Sequence, residues 1–116
     1  MAERTLKKIK PHELPVCIVR PSIITAAERE PHAGWIDTMS AAGGFSLLIT
    51  AGIARYLQSE FVTRADLIPV DYVSNTIIVS TAMIANKPGL TIVQSGSSAS
   101  NPITWGTYLF TLFNYA

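Results

Sequence analysis

Apolar and polar positions alternate in stretches of clearly different period along the chain. Over residues 2–10, Ala2, Leu6 and Ile9 recur at helical spacing, with Lys7, Lys8 and Lys10 in the last turn. Cations there complement the negative end of a helix dipole, and Pro11 stops the run. Val16 to Arg20 is a short apolar run ended by Pro21, the pattern of a strand buried on both faces of a parallel sheet. Pro21 has no amide hydrogen to give a ladder, so the strand opens there into a long shaped loop over residues 22–37. Asp37 or Ser40 is placed to cap a helix over roughly 45–58.

Leu67 to Val70 reads as a short extended piece, with Asp71 as N-cap of a helix from Tyr72 to Ala85. Val73, Thr76, Ile77, Ser80 and Ile84 form one stripe of that helix, and Ile78, Val79 and Met83 lie beside it, which predicts burial on most sides. Asn86 to Gly89 is a turn, Leu90 to Gln94 a second buried strand, and Ser95 to Ser98 a flexible exit. Asn101 and Pro102 read as the cap and first position of a terminal helix carrying Tyr108, Leu109, Phe110, Leu112 and Phe113. The fold class is therefore α/β, with an incomplete parallel sheet and flanking helices.

Composition narrows the function. Nine basic and eight acidic residues leave a net charge of +1, and only 15% of the 116 residues are charged against 48% hydrophobic. That excludes a disordered chain and an electrostatic nucleic-acid binder, which needs a basic excess. The uncharged stretch from Thr38 to Ala54 is at the short edge of a membrane span and holds Gly43, Gly44 and Gly52, so it reads as a buried or interface-facing helix. The single cysteine, Cys17, sits in an apolar run as a small hydrophobe and allows no internal disulfide, which suits a reducing, intracellular setting.

Catalytic patterns are incomplete. His12 and His32 lie far apart in proline-flanked loops with no third ligand at a matching spacing, so no metal site is expected. Ser98 has a glycine two residues before it but none two residues after, unlike a nucleophile elbow. Ala41-Ala42-Gly43-Gly44 lacks the spacing and the lysine of a phosphate loop.

Four stretches in order carry a resemblance. They are Leu14-Pro15-Val16-Cys17-Ile18-Val19-Arg20-Pro21-Ser22-Ile23-Ile24, Glu30-Pro31-His32-Ala33-Gly34-Trp35-Ile36-Asp37, Asp66-Leu67-Ile68-Pro69-Val70-Asp71-Tyr72-Val73-Ser74-Asn75 and Gly96-Ser97-Ser98-Ala99-Ser100-Asn101-Pro102-Ile103-Thr104. Across nearly the whole chain they closely resemble the alcohol-forming fatty acyl-CoA reductases, a branch of the extended short-chain dehydrogenase/reductases. Thioester reductase domains of carrier-protein systems are related, but the Gly34-Trp35 stretch favours the acyl-CoA branch.

The resemblance implies a Rossmann-type domain that uses NADPH to reduce a fatty acyl-CoA thioester to a primary alcohol by way of an aldehyde. It implies that residues 1–116 are the C-terminal part of that domain with the start of the substrate region. In the family a tyrosine acts as acid, and a lysine four residues later lowers its pKa. No tyrosine here precedes a lysine at that distance, and no glycine-rich turn precedes Val16. The family's small residue and glutamate after the lysine match Ala2-Glu3, so the chain is expected to begin about two residues beyond that lysine, at an internal methionine.

Pro21, Ser22 and Ile23 match the loop that closes over the nicotinamide edge of the cofactor, and are its expected contacts. Glu30, Pro31, Gly34 and Trp35 match the loop toward the substrate region, where Trp35 would line an acyl channel or fill the core. The family's second glycine is replaced by Ala54, and its proline-containing turn by Ala41-Ala42-Gly43-Gly44. Family membership suggests a peroxisomal or endoplasmic reticulum membrane association. Two functions follow: part of a fatty acyl-CoA reductase, inactive as this chain alone, or a non-catalytic reductase-like module serving as a subunit in an assembly. In both, apolar surface would need the missing half of the domain or a protein partner.

Overall fold

The computed structural model describes residues 2–9 and 14–115. Helix α1 (Ala2–Ile9) leads to strand β1 (Pro15–Pro21) and a short strand β2 (Ile23–Thr25). Helix α2 (Ala41–Thr50), strands β3 (Arg64–Ala65) and β4 (Leu67–Pro69), and helix α3 (Val70–Ile84) follow. Strand β5 (Gly89–Ser95), strand β6 (Ile103–Thr104) and helix α4 (Trp105–Tyr115) complete the chain. Lys10 and Pro11, expected to close the first helix, and the loop histidine His12 lie outside the described residues.

The expected α/β architecture is present among the described residues. β1 and β5 run parallel with Pro15 opposite Gly89 and Pro21 opposite Ser95, and α3 packs on both strands. β2 pairs parallel with β4, and β3 pairs antiparallel with β6. A small core forms where Ala42, Ala65 and Leu67 meet Ile103, Trp105 and Tyr108. No described helix is long and apolar enough to cross a membrane.

Burial is lighter than the apolar runs suggest. Val16 to Val19 are half-buried and Thr91 and Ile92 exposed, because among the described residues β1 and β5 have only each other in their ladder. Cys17 is accordingly half-buried rather than fully enclosed. In α3 the buried positions are Asp71, Val73 and Ser80, while Ile78 and Met83 are 66% and 62% exposed. The helix is therefore covered on one face and not on most sides.

Three boundaries differ from the sequence reading, each for a hydrogen-bonding reason. α2 begins and ends earlier than 45–58. Its end is set by Gly52, at φ +69, with Gly52 N–H bonding to Ile49 O at 2.9 Å and Ile53 N–H to Leu48 O at 3.0 Å. This paired closure needs a left-handed residue just past the helix, which glycine adopts without steric cost.

Asp71 is not an N-cap. Pro69 occupies that position, and the Asp71 side chain turns to another segment. The terminal helix also starts later than Pro102. Residues 103–104 are drawn into pairing with β3, and Trp105 and Gly106 donate their amides to Thr63 O and Phe61 O. Thr104 Oγ1 then accepts the Thr107 amide at 3.1 Å, satisfying another first-turn donor.

The Gly52 closure yields a stability expectation. A Cβ at Gly52 would meet nothing within 4 Å, so Gly52→Ala carries only the left-handed backbone cost. It should lower unfolding free energy by about 1 kcal/mol, read as a reduced urea midpoint at unchanged slope.

Candidate functional site

Ligands of open parallel sheets bind beyond the carboxyl ends of the strands. Here those ends are Pro21 and Ser95, side by side in the β1–β5 register. The chain leaves β1 under tight restraint: Ser22 N–H donates to Ser95 O and Ile23 N–H to Asp66 O, both at 2.9 Å. Arg20, Pro21, Ser22, Asp66, Gln94, Ser95 and Gly96 enclose a crevice of about 170 Å³ at this point. Ser22 Oγ is buried in the loop and has no hydrogen-bond partner among the described residues. A buried hydroxyl left unpaired is costly, and it retains both a donor and an acceptor for a ligand group.

A neighbouring polar cavity of about 380 Å³ shares Gln94, Ser95 and Gly96 and is bounded by Tyr72 and Thr76 of α3. The exit from β5, expected to be flexible, is tied down. Ser97 Oγ donates to Leu67 O at 2.6 Å, and the Ser98 hydroxyl donates to the Asp66 carboxylate. On the other side, the Arg20 guanidinium grips Glu3 through two hydrogen bonds, fixing α1 against the end of β1. That hydrogen bond, with the charge of Arg20, holds the Glu3 carboxyl below its ordinary pKa.

Ile23 lines a different space. Successive residues of an extended chain point to opposite faces, and Ile23 joins Ala41, Ala42, Phe45, Leu67, Trp105 and Tyr108 around an apolar cavity of about 260 Å³. The Trp105 ring stands edge-on to Phe45 and Tyr108, with centroids 5.8 and 6.0 Å apart. Tyr108 is held by its hydroxyl, 2.6 Å from Ser46 Oγ. Pro21, Ser22 and Ile23 thus form the boundary between a polar crevice and an apolar cavity. Sequence reading missed Phe45, Leu67, Trp105 and Tyr108 as a group. The spacings Ala42–Phe45 and Trp105–Tyr108 mark two helical faces, but nothing local says that these faces meet.

Glu30, Pro31, Gly34 and Trp35 line none of these cavities. They form a closed turn in which Ala27 N–H bonds to Trp35 O at 2.9 Å and Gly34 N–H to Ala27 O at 2.8 Å. Trp35 is half-buried, and Glu30, Pro31 and Gly34 are exposed, as is His32. The turn is held from α3. The Asp71 carboxylate accepts the amides of Glu28, Arg29 and Glu30 at 3.1, 3.0 and 3.3 Å. Desolvation raises the Asp71 pKa, but the loop amides outweigh it and hold the carboxyl below its ordinary value. A hydrogen bond to the Glu28 carboxylate raises the Tyr72 pKa beside it. No group of His, Cys, Asp and Glu able to hold a metal ion occurs among the described residues.

Residues 1–77 match the NAD-binding family model described as male sterility protein. The chain is similar to probable fatty acyl-CoA reductase 5 of Arabidopsis thaliana, at 35% identity over 107 residues, covering 91% of this chain and 21% of that protein. It is 35% identical over 96 residues to fatty acyl-CoA reductase 1 of Rattus norvegicus, covering 81% and 19%. It is 35% identical over 104 residues to fatty acyl-CoA reductase wat of Drosophila melanogaster, covering 88% and 20%. The chain therefore spans about a fifth of the length of the curated relatives it matches.

The Asp71 clamp titrates in a defined direction. Its folded pKa is lowered, so its contribution is complete above the unfolded value of about 3.9 and disappears as pH falls through the folded value. Asp71→Asn should speed amide exchange at Glu28, Arg29 and Glu30 at pH 7 and lower the denaturation midpoint there. The difference from the wild type should shrink as pH falls below 4. Unchanged exchange at those three amides would remove the clamp from the account.

Proposed function

This chain belongs to the male sterility protein family, and on that premise we propose that it is the part of a fatty acyl-CoA reductase domain where the nicotinamide edge of NADPH meets the acyl chain. The observation that supports this reading most is the Pro21–Ser22–Ile23 loop. One residue of it presents an unpaired buried hydroxyl, and the next bounds an apolar cavity.

The residues present suit only one end of the cofactor. Backbone amides at Ser22 and Ile23 are already used, so Ser22 Oγ is the group with spare capacity for a carboxamide. The sequence has no glycine-rich turn for a pyrophosphate and no Tyr-x-x-x-Lys for proton delivery. In this reading those come from the remainder of the reductase domain, and residues 1–116 contribute its C-terminal part. Two NADPH molecules, bound in turn, would each supply one hydride, and with two protons these would turn the thioester into a primary alcohol while CoA leaves as the thiol.

The chain's own residues serve to position and to line. Pro21 fixes the backbone where β1 ends, and the Ser22 and Ile23 amide bonds prevent the loop from swinging outward. Ile23, Leu67 and the aromatic rings line the acyl side with apolar surface. The acyl chain is lined by these residues rather than by Glu30, Pro31, Gly34 and Trp35, whose turn is fastened to α3. The peroxisomal or endoplasmic reticulum membrane association forms part of the same proposal.

A chimera tests it: this chain replaces the matching segment of the rat relative, and palmitoyl-CoA with NADPH is assayed for hexadecanol. Alcohol should form, and Ser22→Ala should raise the KM for NADPH about fivefold, the value of one hydrogen bond, with little change for palmitoyl-CoA. A folded chimera that makes no alcohol would overturn the reading. The 116-residue chain alone should oxidise no NADPH above a protein-free blank.

A further inference from the structure

The apolar cavity beside Ile23 has a neighbour of about 270 Å³, lined by Phe45, Leu57, Gln58, Ser59, Trp105 and Leu109. The two spaces share Phe45 and Trp105 and no other lining residue. These are the rings in edge-to-face contact, 5.8 Å between centroids. We propose that the Phe45–Trp105 pair is a partition between two compartments, and that it sets the length of straight hydrocarbon chain the inner one accepts. The inference rests on the acyl reading above for its biological ligand.

Three features make the pair a stop. Trp105 is held from two sides, by its amide on Thr63 O at 3.0 Å and by the Tyr108 ring, itself anchored on Ser46. Phe45 projects from α2, whose Ala41 and Ala42 leave the rest of the inner wall thin. Beyond the pair the lining changes character, because Gln58 and Ser59 enter it. A chain entering beside Ile23 runs along apolar side chains until it reaches the rings. An engineered apolar cavity of about 150 Å³ holds a benzene molecule, so the inner compartment has room for a chain before the pair is met. Removing the Phe45 ring would open one compartment into the next and roughly double the available volume.

Straight-chain 1-alkanols from hexanol to dodecanol, titrated calorimetrically into the 116-residue protein, read this directly without CoA or NADPH. Affinity should climb about fourfold per methylene and then stop at a cut-off length. Phe45→Ala should move the cut-off longer by about two methylenes or more. Leu57→Trp, which fills the outer compartment, should return it in the Phe45→Ala background. If Phe45→Ala does not fold, Phe45→Leu should still lengthen the cut-off. A folded Phe45 variant with an unmoved cut-off, or wild-type protein that binds no alkanol, overturns the partition. A cut-off that moves while the folded chimera makes no alcohol from palmitoyl-CoA leaves the partition standing and removes the acyl-CoA reading instead.

Discussion

Everything at the site depends on the parallel register between β1 and β5. Seven residues of each strand pair without a slip, so Pro21 and Ser95 end together. The ladder then continues for one bond, Ser22 N–H to Ser95 O, before the chain is handed to Asp66 O through Ile23. A slip of one residue would exchange the faces on which Ser22 and Ile23 stand. The polar crevice and the apolar cavity would lose their boundary, and with it the chemistry that distinguishes the two sides.

The partially formed sheet explains the lighter burial. A parallel strand reads as uniformly apolar because it expects neighbours on both edges and cover on both faces. Among the described residues β1 and β5 have one strand neighbour each, and α3 packs on them, so residues such as Ile92 remain exposed. The exposed Ile78 and Met83 on α3 follow the same logic. The apolar runs are thus longer than the surfaces that cover them among the described residues.

Asp71 shows how a local rule can be right about a residue's importance and wrong about its role. An aspartate after an extended piece and before a helix is a strong capping signal. The structure instead spends its carboxylate on three amides 41 to 43 residues earlier in the chain. That contact fastens the Glu30–Trp35 turn away from the cavities. The same long-range competition moved the start of α4, where carbonyls of residues 61 and 63 took its first amides.

Periodicity and punctuation alone determined the α/β class, the strands around Val16–Arg20 and Leu90–Gln94, the long helix after Pro69 and the turn near Pro88, because those depend on neighbours within a few residues. The four motif stretches determined the family. Only the tertiary structure decided that the Ser22 hydroxyl is left without a partner among the described residues, that Phe45 and Trp105 meet across two helices, and that Asp71 holds a distant loop. Each of these is a pairing between groups more than forty residues apart, or the lack of one. Their partners are chosen by how the elements pack, and no local period along the chain encodes that choice.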